Sequence, residues 1–433
     1  MTATEKENLI VSNGLVKIVG IFEFDASYKK HIKKIKSDGF VQEFPNEVEK
    51  KIYKDYFYPE FRDVLFIMKE ESSAMVFSKN INEEIQISKR NSKESIIIEQ
   101  VELFIFPKNL NLFTIHIKPI NNKLVDYSNL TNVVREFYSE VDLGNKTIKW
   151  VNWIEEHCLS GIKIASDPEN PKVEVDEYSG SKFKLFTLID IEQPLTKTQT
   201  EELLYDIGCV AKIGSAGSIE DFSPSDDYYN SLLANKIAVF KNYTILPLFD
   251  SFTVIGKEFL NADFKLVTWN KSYFRIILFN LYIKYSLFKY NAIVNVDSTK
   301  VRDDFEYFLN TYNLSHISYN FLPNLIYQQH RTSLETDLEL DKFQKRINRI
   351  SQSIQEEEQK RSNLLLSIVS VLASISSIQP IFEVLEKVRI EYSFNTALYY
   401  TLISLLVLFA GLRLLIYLYP DKYKLFKRRW RKE

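Results

Sequence analysis

Two cysteines in 433 residues exclude a disulfide scaffold and a cysteine-rich zinc module. No excess of one charge sign is present either. Lys and Arg total 55 against 57 Asp and Glu, a formal net charge of −2, so no global basic surplus points to direct nucleic-acid binding. Glycine is scarce, with 11 residues beside 25 Tyr and 31 Phe, which makes the chain bulky. P-loop, G-x-G-x-x-G and H-E-x-x-H patterns are all missing. What is there excludes wholesale disorder: 45% hydrophobic and 26% charged residues, over a length that suggests two or three structural units.

The five histidines (His31, His116, His157, His316, His330) are scattered without ligand spacing, so no metal is assigned. No nucleophile–base pair stands out, and an enzyme is the least favoured class. The acidic runs Glu356-Glu357-Glu358 and Asp226-Asp227 are candidates for a regulatory divalent cation, although solvated faces are the plainer reading. One segment concentrates glycine: Gly208, Gly214 and Gly217 fall within eleven residues, beside Lys212. Lys212, Gly214 and Gly217 are therefore the first candidates for a ligand-contacting, phosphate-approaching loop. An ordinary helix C-cap followed by a loop is the competing reading, and the favoured one.

Residues 1–300 alternate strand-like and helix-like segments, which predicts a mixed α/β or α+β domain with a sub-boundary near 164–181, where Pro168, Pro171 and Gly180 cluster. The spacing predicts strands at Leu15–Phe24, Ile85–Ser88, Ser95–Phe106, Leu112–Pro119, Phe183–Ile191, Lys236–Phe240 and Thr244–Phe249. Helices are predicted at Ser128–Val141, Trp150–Leu159, Thr196–Val210 and Trp269–Tyr290. The last is rich in aromatic and aliphatic residues but carries Lys271, Arg275, Lys284 and Lys289, so a buried core helix is expected rather than a membrane span.

The C-terminal quarter differs. Ser362–Phe382 and Tyr392–Leu412 are each 21 residues without a charge, long enough to cross a hydrocarbon core of roughly 30 Å. The short charged stretch between them predicts a two-helix transmembrane hairpin. Seven basic residues follow Pro420 (Lys422, Lys424, Lys427, Arg428, Arg429, Arg431, Lys432), against Lys387 and Arg389 in the short loop. That asymmetry places the tail and the N-terminal bulk in the cytoplasm. Met1 to Asn13 lack the apolar core of a secretory signal, in keeping with that side.

Leu340, Phe343, Ile347, Ile350 and Ile354 are spaced as a heptad seam, and its register continues through Leu364, Ile368, Val371, Ile375 and Ile378. One helix from about Thr332 to Ile378, roughly 70 Å long, is expected to run into the first span and to self-associate. Asn363, Ser367, Ser370, Ser374 and Ser377 form a second, polar stripe beside that seam. Such a face belongs in a bundle interior. It serves either close helix packing or the lining of a pore, and the number of copies decides between them.

This layout resembles the CorA superfamily of divalent-cation channels. The corresponding parts are 1–300 (cytoplasmic domain), 301–361 (stalk helices), 362–382 (first span), 383–395 (outer loop), 396–419 (second span) and 420–433 (basic tail). The resemblance implies a homopentamer in the bacterial inner membrane, with first spans lining the pore. The family's Gly-Met-Asn signature is missing: no Gly lies between Gly256 and Gly411, and the span ends Ser376-Ser-Ile-Gln379-Pro380. Gln379 is the candidate for an amide at the outer mouth, and a serine ring would favour weakly selective passage of hydrated ions. Relatives without the signature are similar to membrane effectors of antiviral defence, notably type III CRISPR. In these a nucleotide messenger, such as an S-adenosylmethionine–AMP conjugate, acts on the cytoplasmic domain. The resemblance thus implies a channel gated by a small, nucleotide-type cytoplasmic ligand. A magnesium, cobalt or nickel transporter with a diverged mouth is the alternative. A membrane-tethered signalling or binding module without a pore is the third.

Overall fold

The computed structural model describes residues 2–376, apart from 25–27, 67–74, 91, 107–109, 145, 163, 165–181, 217, 219–222 and 295–297, and also residue 383. Two compact units are distinguished, 1–347 and 348–433. The first is α+β.

Ten strands form its mixed sheet: β1 (Val11–Glu23), β2 (Val41–Gln42), β3 (Met75–Lys89), β4 (Ser92–Ile105), β5 (Leu110–Pro119), β6 (Glu140–Asp142), β7 (Thr147–Lys149), β8 (Lys184–Ile191), β9 (Tyr243–Pro247) and β10 (Ser251–Gly256). Their order is β7-β6-β3-β4-β5-β1-β8-β10-β9, with β2 also pairing on β3. β8 and β10 pair in parallel, and the other named pairs are antiparallel. Every residue of β8 and β10 is buried, as expected for strands covered on both faces. β8 follows the expected sub-boundary at 164–181 yet pairs with β1, so a single sheet holds the chain on either side of it.

The helices are α1 (Ala3–Glu7), α2 (Tyr28–Ser37), α3 (Glu47–Tyr56), α4 (Pro59–Leu65), α5 (Leu124–Val134), α6 (Trp150–Trp153), α7 (Lys197–Gly208), α8 (Asp226–Leu233), α9 (Asp263–Val267), α10 (Phe274–Ile293), α11 (Ser298–Tyr312), α12 (Phe321–Ser333) and α13 (Thr336–Ser376). Two π-helical turns, Ile154–Cys158 and Thr268–Tyr273, continue α6 and link α9 to α10. Reciprocal side-chain and backbone bonds start α3 (Asn46 with Glu49) and α7 (Thr196 with Gln199), satisfying amides that a helix start leaves unpaired.

Successive β1 side chains face opposite sides of the sheet. Gly14 meets the Tyr127 ring of α5, whereas the Lys17 ammonium lies 3.9 Å from the Phe274 ring centre of α10. Those two helices therefore cover opposite faces. Most of α10 is buried, including Phe274, Phe279, Tyr282 and Tyr285, in line with the core helix expected there. The compact unit runs past residue 300 to Ile347, and α11 and α12 both pack on α10.

A long helix leads out of this unit, but it begins at Thr336 rather than near Thr332. Leu334 caps α12, and Glu335 takes a left-handed φ of 54°, which stops one helix before the next starts. The first part of the heptad seam is covered within one chain. Phe343 packs edge-on against Phe305 at 4.7 Å, and Leu340, Phe343 and Ile347 are buried. Lys236–Phe240, expected as a strand, contributes only a bridge from Ile237 to Ile245. Among the described residues, no helix is long and apolar enough to cross a membrane. Of the two uncharged stretches expected to do so, the first is described only as far as Ser376, and the second lies entirely outside the described residues.

Candidate functional site

A cavity of about 750 Å³ lies between α3, α9 and the π turn that follows it. Its walls carry Tyr53, Tyr56, Phe57, Tyr243, Phe259, Phe264, Trp269 and Tyr273. Trp269 sits among edge-on neighbours: Tyr273 at 4.9 Å, Tyr243 at 5.6 Å and Phe259 at 6.1 Å. The widened turn Thr268–Tyr273 contributes Trp269, Lys271, Ser272 and Tyr273 to one wall, and such turns recur at functional sites.

Glu49 braces the cavity from side to side. One carboxylate oxygen accepts from the Asn46 amide that begins α3, and the other accepts from Lys271 Nζ at 2.9 Å. Burial opposes the Glu49 anion, but these bonds hold its pKa below the usual range. Lys271 is raised by the same partner despite its burial.

A second cavity of about 420 Å³ lies beside the exits of the parallel strands β8 and β10, lined by Pro194, Lys241, Lys257 and Glu258 among others. Asn242 and Tyr243 line both cavities. Open α/β sheets favour ligands at such strand ends. Gly256 permits the close fit here, because a Cβ on it would stand 2.2 Å from the Asn242 carbonyl oxygen.

The glycine-containing loop has a different arrangement from the expected phosphate cradle. Gly214 N–H donates to Asp206 at 2.7 Å and Ala216 N–H donates to the same carboxylate at 2.9 Å. The loop's amides thus already have an anion, supplied by α7. Lys212 is exposed, and Gly217 lies outside the described residues. Burial pushes the Asp206 carboxyl up to about 6, against the pull of those two amides.

Of the polar stripe, Asn363 and Ser370 are exposed and Ser367 is half-buried on α13. Ser367 Oγ donates to the Asn363 carbonyl and Ser370 Oγ to the Leu366 carbonyl, both at 2.8 Å. Each hydroxyl therefore has an acceptor within its own helix. Ser374 belongs to the same helix, while Ser377 and Gln379 lie outside the described residues.

A buried polar cluster has no counterpart in the sequence reading. Glu102 on β4 accepts from Lys17 and Thr114 and contacts His116 Nε2, each at 3.0 Å. Burial brings Lys17 down to about 8 and lowers His116, to which the Lys17 charge adds. Burial also works against the Glu102 anion, yet Lys17 and His116 together hold it well below the carboxylate range. The Phe274 ring covers this group, which makes it a structural tie between sheet and helix rather than an accessible reaction centre. Among the described residues, no group of His, Cys, Asp and Glu could hold a metal ion. Glu356–Glu358 and Asp226–Asp227 are exposed, and the latter two sit in the first turn of α8, where negative charge suits the helix dipole.

The aromatic cavity escapes sequence reasoning because its walls come from four separated segments. The one local signal is the capping pair Asn46 and Glu49 at the start of a largely polar helix. No protein-family model matches the chain, and no curated protein matches it.

Proposed function

We propose that this chain is a homo-oligomeric channel of the bacterial inner membrane, CorA-like in layout. Its α+β domain and both termini lie in the cytoplasm, and a small ligand bound to that domain gates it. The observation that carries the reading is the two-sidedness of α13. Leu365, Leu366, Val369 and Leu372 are 59–62% exposed, which is costly in water over so short a run. At about 100° per residue Leu365, Val369 and Leu372 lie opposite Asn363, Ser367 and Ser370, while Leu366 lies on the flank beside Ser370. A helix with lipid on one side and a shared axis on the other needs such a division. The uncharged stretches 362–382 and 392–412 and the basic tail support the membrane placement. Gln379 is the proposed outer-mouth residue. A ligand opens such a channel only by binding its open and closed arrangements unequally, and the trigger in this reading is a nucleotide messenger of antiviral defence.

Replacing Ser370 with Leu is expected to dry the constriction and lower ion flux into liposomes, and detergent-extracted particles are expected to be rings around an axial hole. Unchanged flux in S370L, or particles of one copy, would overturn the reading. The back-bonded hydroxyls of Ser367 and Ser370 favour one rival, a tethered binding module whose helices pack without a pore. Particles of several copies with a filled axis would establish that rival.

A further inference from the structure

We infer that the two adjoining cavities form one binding site for a planar aromatic group joined to an anion. The larger cavity offers flat partners: Tyr243, Phe259, Trp269 and Tyr273 present ring faces and edges at its wall. Rings stack on such surfaces with a preference that an aliphatic chain does not share. Both cavities carry lysines in their walls. Lys241, Lys257, Lys265 and Lys271 line them, against Glu49 and Glu258. Lys271 is neutralised by Glu49. Lys265 Nζ donates to the Glu258 carbonyl at 3.3 Å and to Asn261 Oδ1 at 2.7 Å, both neutral acceptors, and no ion pair engages it among the described residues.

Tyr243 and Asn242 stand on the boundary, which lets one ligand lay its ring against Trp269 and extend its anion toward Lys241 and Lys257. The combined volume suits a ligand of ordinary metabolite size. As the trigger of a channel this site rests on the proposed function, but as a binding site it stands independently of the membrane.

Calorimetric titration of the full chain in lipid nanodiscs tests it, with empty discs as blank and three probes: 1-naphthyl phosphate, 1-naphthol and inorganic phosphate. The first is expected to bind once per chain, about tenfold tighter than either of the others. The double variant K241E/K257E is expected to lose about that factor for 1-naphthyl phosphate and to keep its affinity for 1-naphthol. F264A and Y56A change exposed side chains and are expected to weaken both aromatic probes several-fold with unchanged circular dichroism. The inference is overturned if 1-naphthyl phosphate fails to bind, binds no tighter than 1-naphthol, or binds all variants equally. Liposome flux is read separately: saturable binding without a change in flux would leave the site standing and remove its role as gate.

Discussion

Lys284 Nζ lies 2.6 Å from the Glu339 carboxylate and 2.6 Å from the Leu334 carbonyl oxygen. One buried ammonium on α10 thus caps the end of α12 and holds the start of α13. The chain turns between those helices at Glu335, and Arg331 pairs with Asp337 across the same break. A core helix is thereby fastened to the joint from which the long helix departs.

Lys284→Met removes both bonds while keeping much of the side-chain volume. The Leu334 carbonyl and Glu339 lose their donor, at an expected cost of about 1–3 kcal/mol. Thermal unfolding of the variant measures that loss. In a ligand-gated channel the same substitution is expected to leave 1-naphthyl phosphate affinity unchanged while abolishing any response of liposome flux to it. A normal flux response would show that Lys284 has no part in transmission.

Lys17→Met strands the Glu102 anion beneath Phe274, with an expected loss of about 3–5 kcal/mol. Removing the Lys17 charge also raises the His116 pKa, because that charge helps to lower it. The His116 ring signal in an NMR titration is the readout. The double variant Lys17→Met, Glu102→Gln is expected to regain most of the lost stability, since no charge is then left unpaired.

Asp206 gives stability a pH dependence of definite sign. Its carboxyl is raised from 3.8 to about 6 by burial. Between those values the folded state holds more of the proton than the unfolded state, so stability falls as pH rises through that window and levels off above it. The span corresponds to about 3 kcal/mol. Unfolding midpoints at pH 4.5, 6 and 7.5 should decline for the native chain, and Asp206→Asn should flatten this part of the profile.

Gly14→Ala places a methyl carbon 2.3 Å from the Tyr127 hydroxyl oxygen. Tyr127 is buried on α5, so the helix has to shift from the sheet, at an expected cost of about 1–3 kcal/mol. Gly14→Ala combined with Tyr127→Leu should be milder than the single change if that contact is the cause. Urea unfolding of both variants separates the two outcomes.

Several elements are legible in the sequence because their patterns are local. The alternating apolar residues of Ser95–Phe106 and Leu112–Pro119 mark β4 and β5 nearly to their ends, and Thr196 announces α7 through its capping bond to Gln199. The α5 helix begins at Leu124, ahead of the expected Ser128, because Asp126 caps the Lys123 amide. Other features need the tertiary fold. β10 is short and wholly buried, so the brief alternation of Ser251–Val254 does not mark a solvent face. Lys17, Glu102 and His116 look unrelated until strand pairing sets them side by side, and the glycines near Lys212 suggest a cradle until Asp206 is seen to occupy it. The aromatic cavity depends on α3, whose polar sequence EVEKKIYKDY gives little sign that Tyr53 faces inward.

The inward use of Leu340, Phe343 and Ile347 bears on how copies would recruit one another in the proposed oligomer. These three side chains are occupied within their own chain, so in the proposed oligomer the seam left for contact between copies would begin farther along, at Ile350. Maturation of a single polypeptide and its enrolment into a larger particle would then be separable events. A polypeptide stopped shortly after Asn348 would be expected to sediment as an individual, whatever number the longer version gathers.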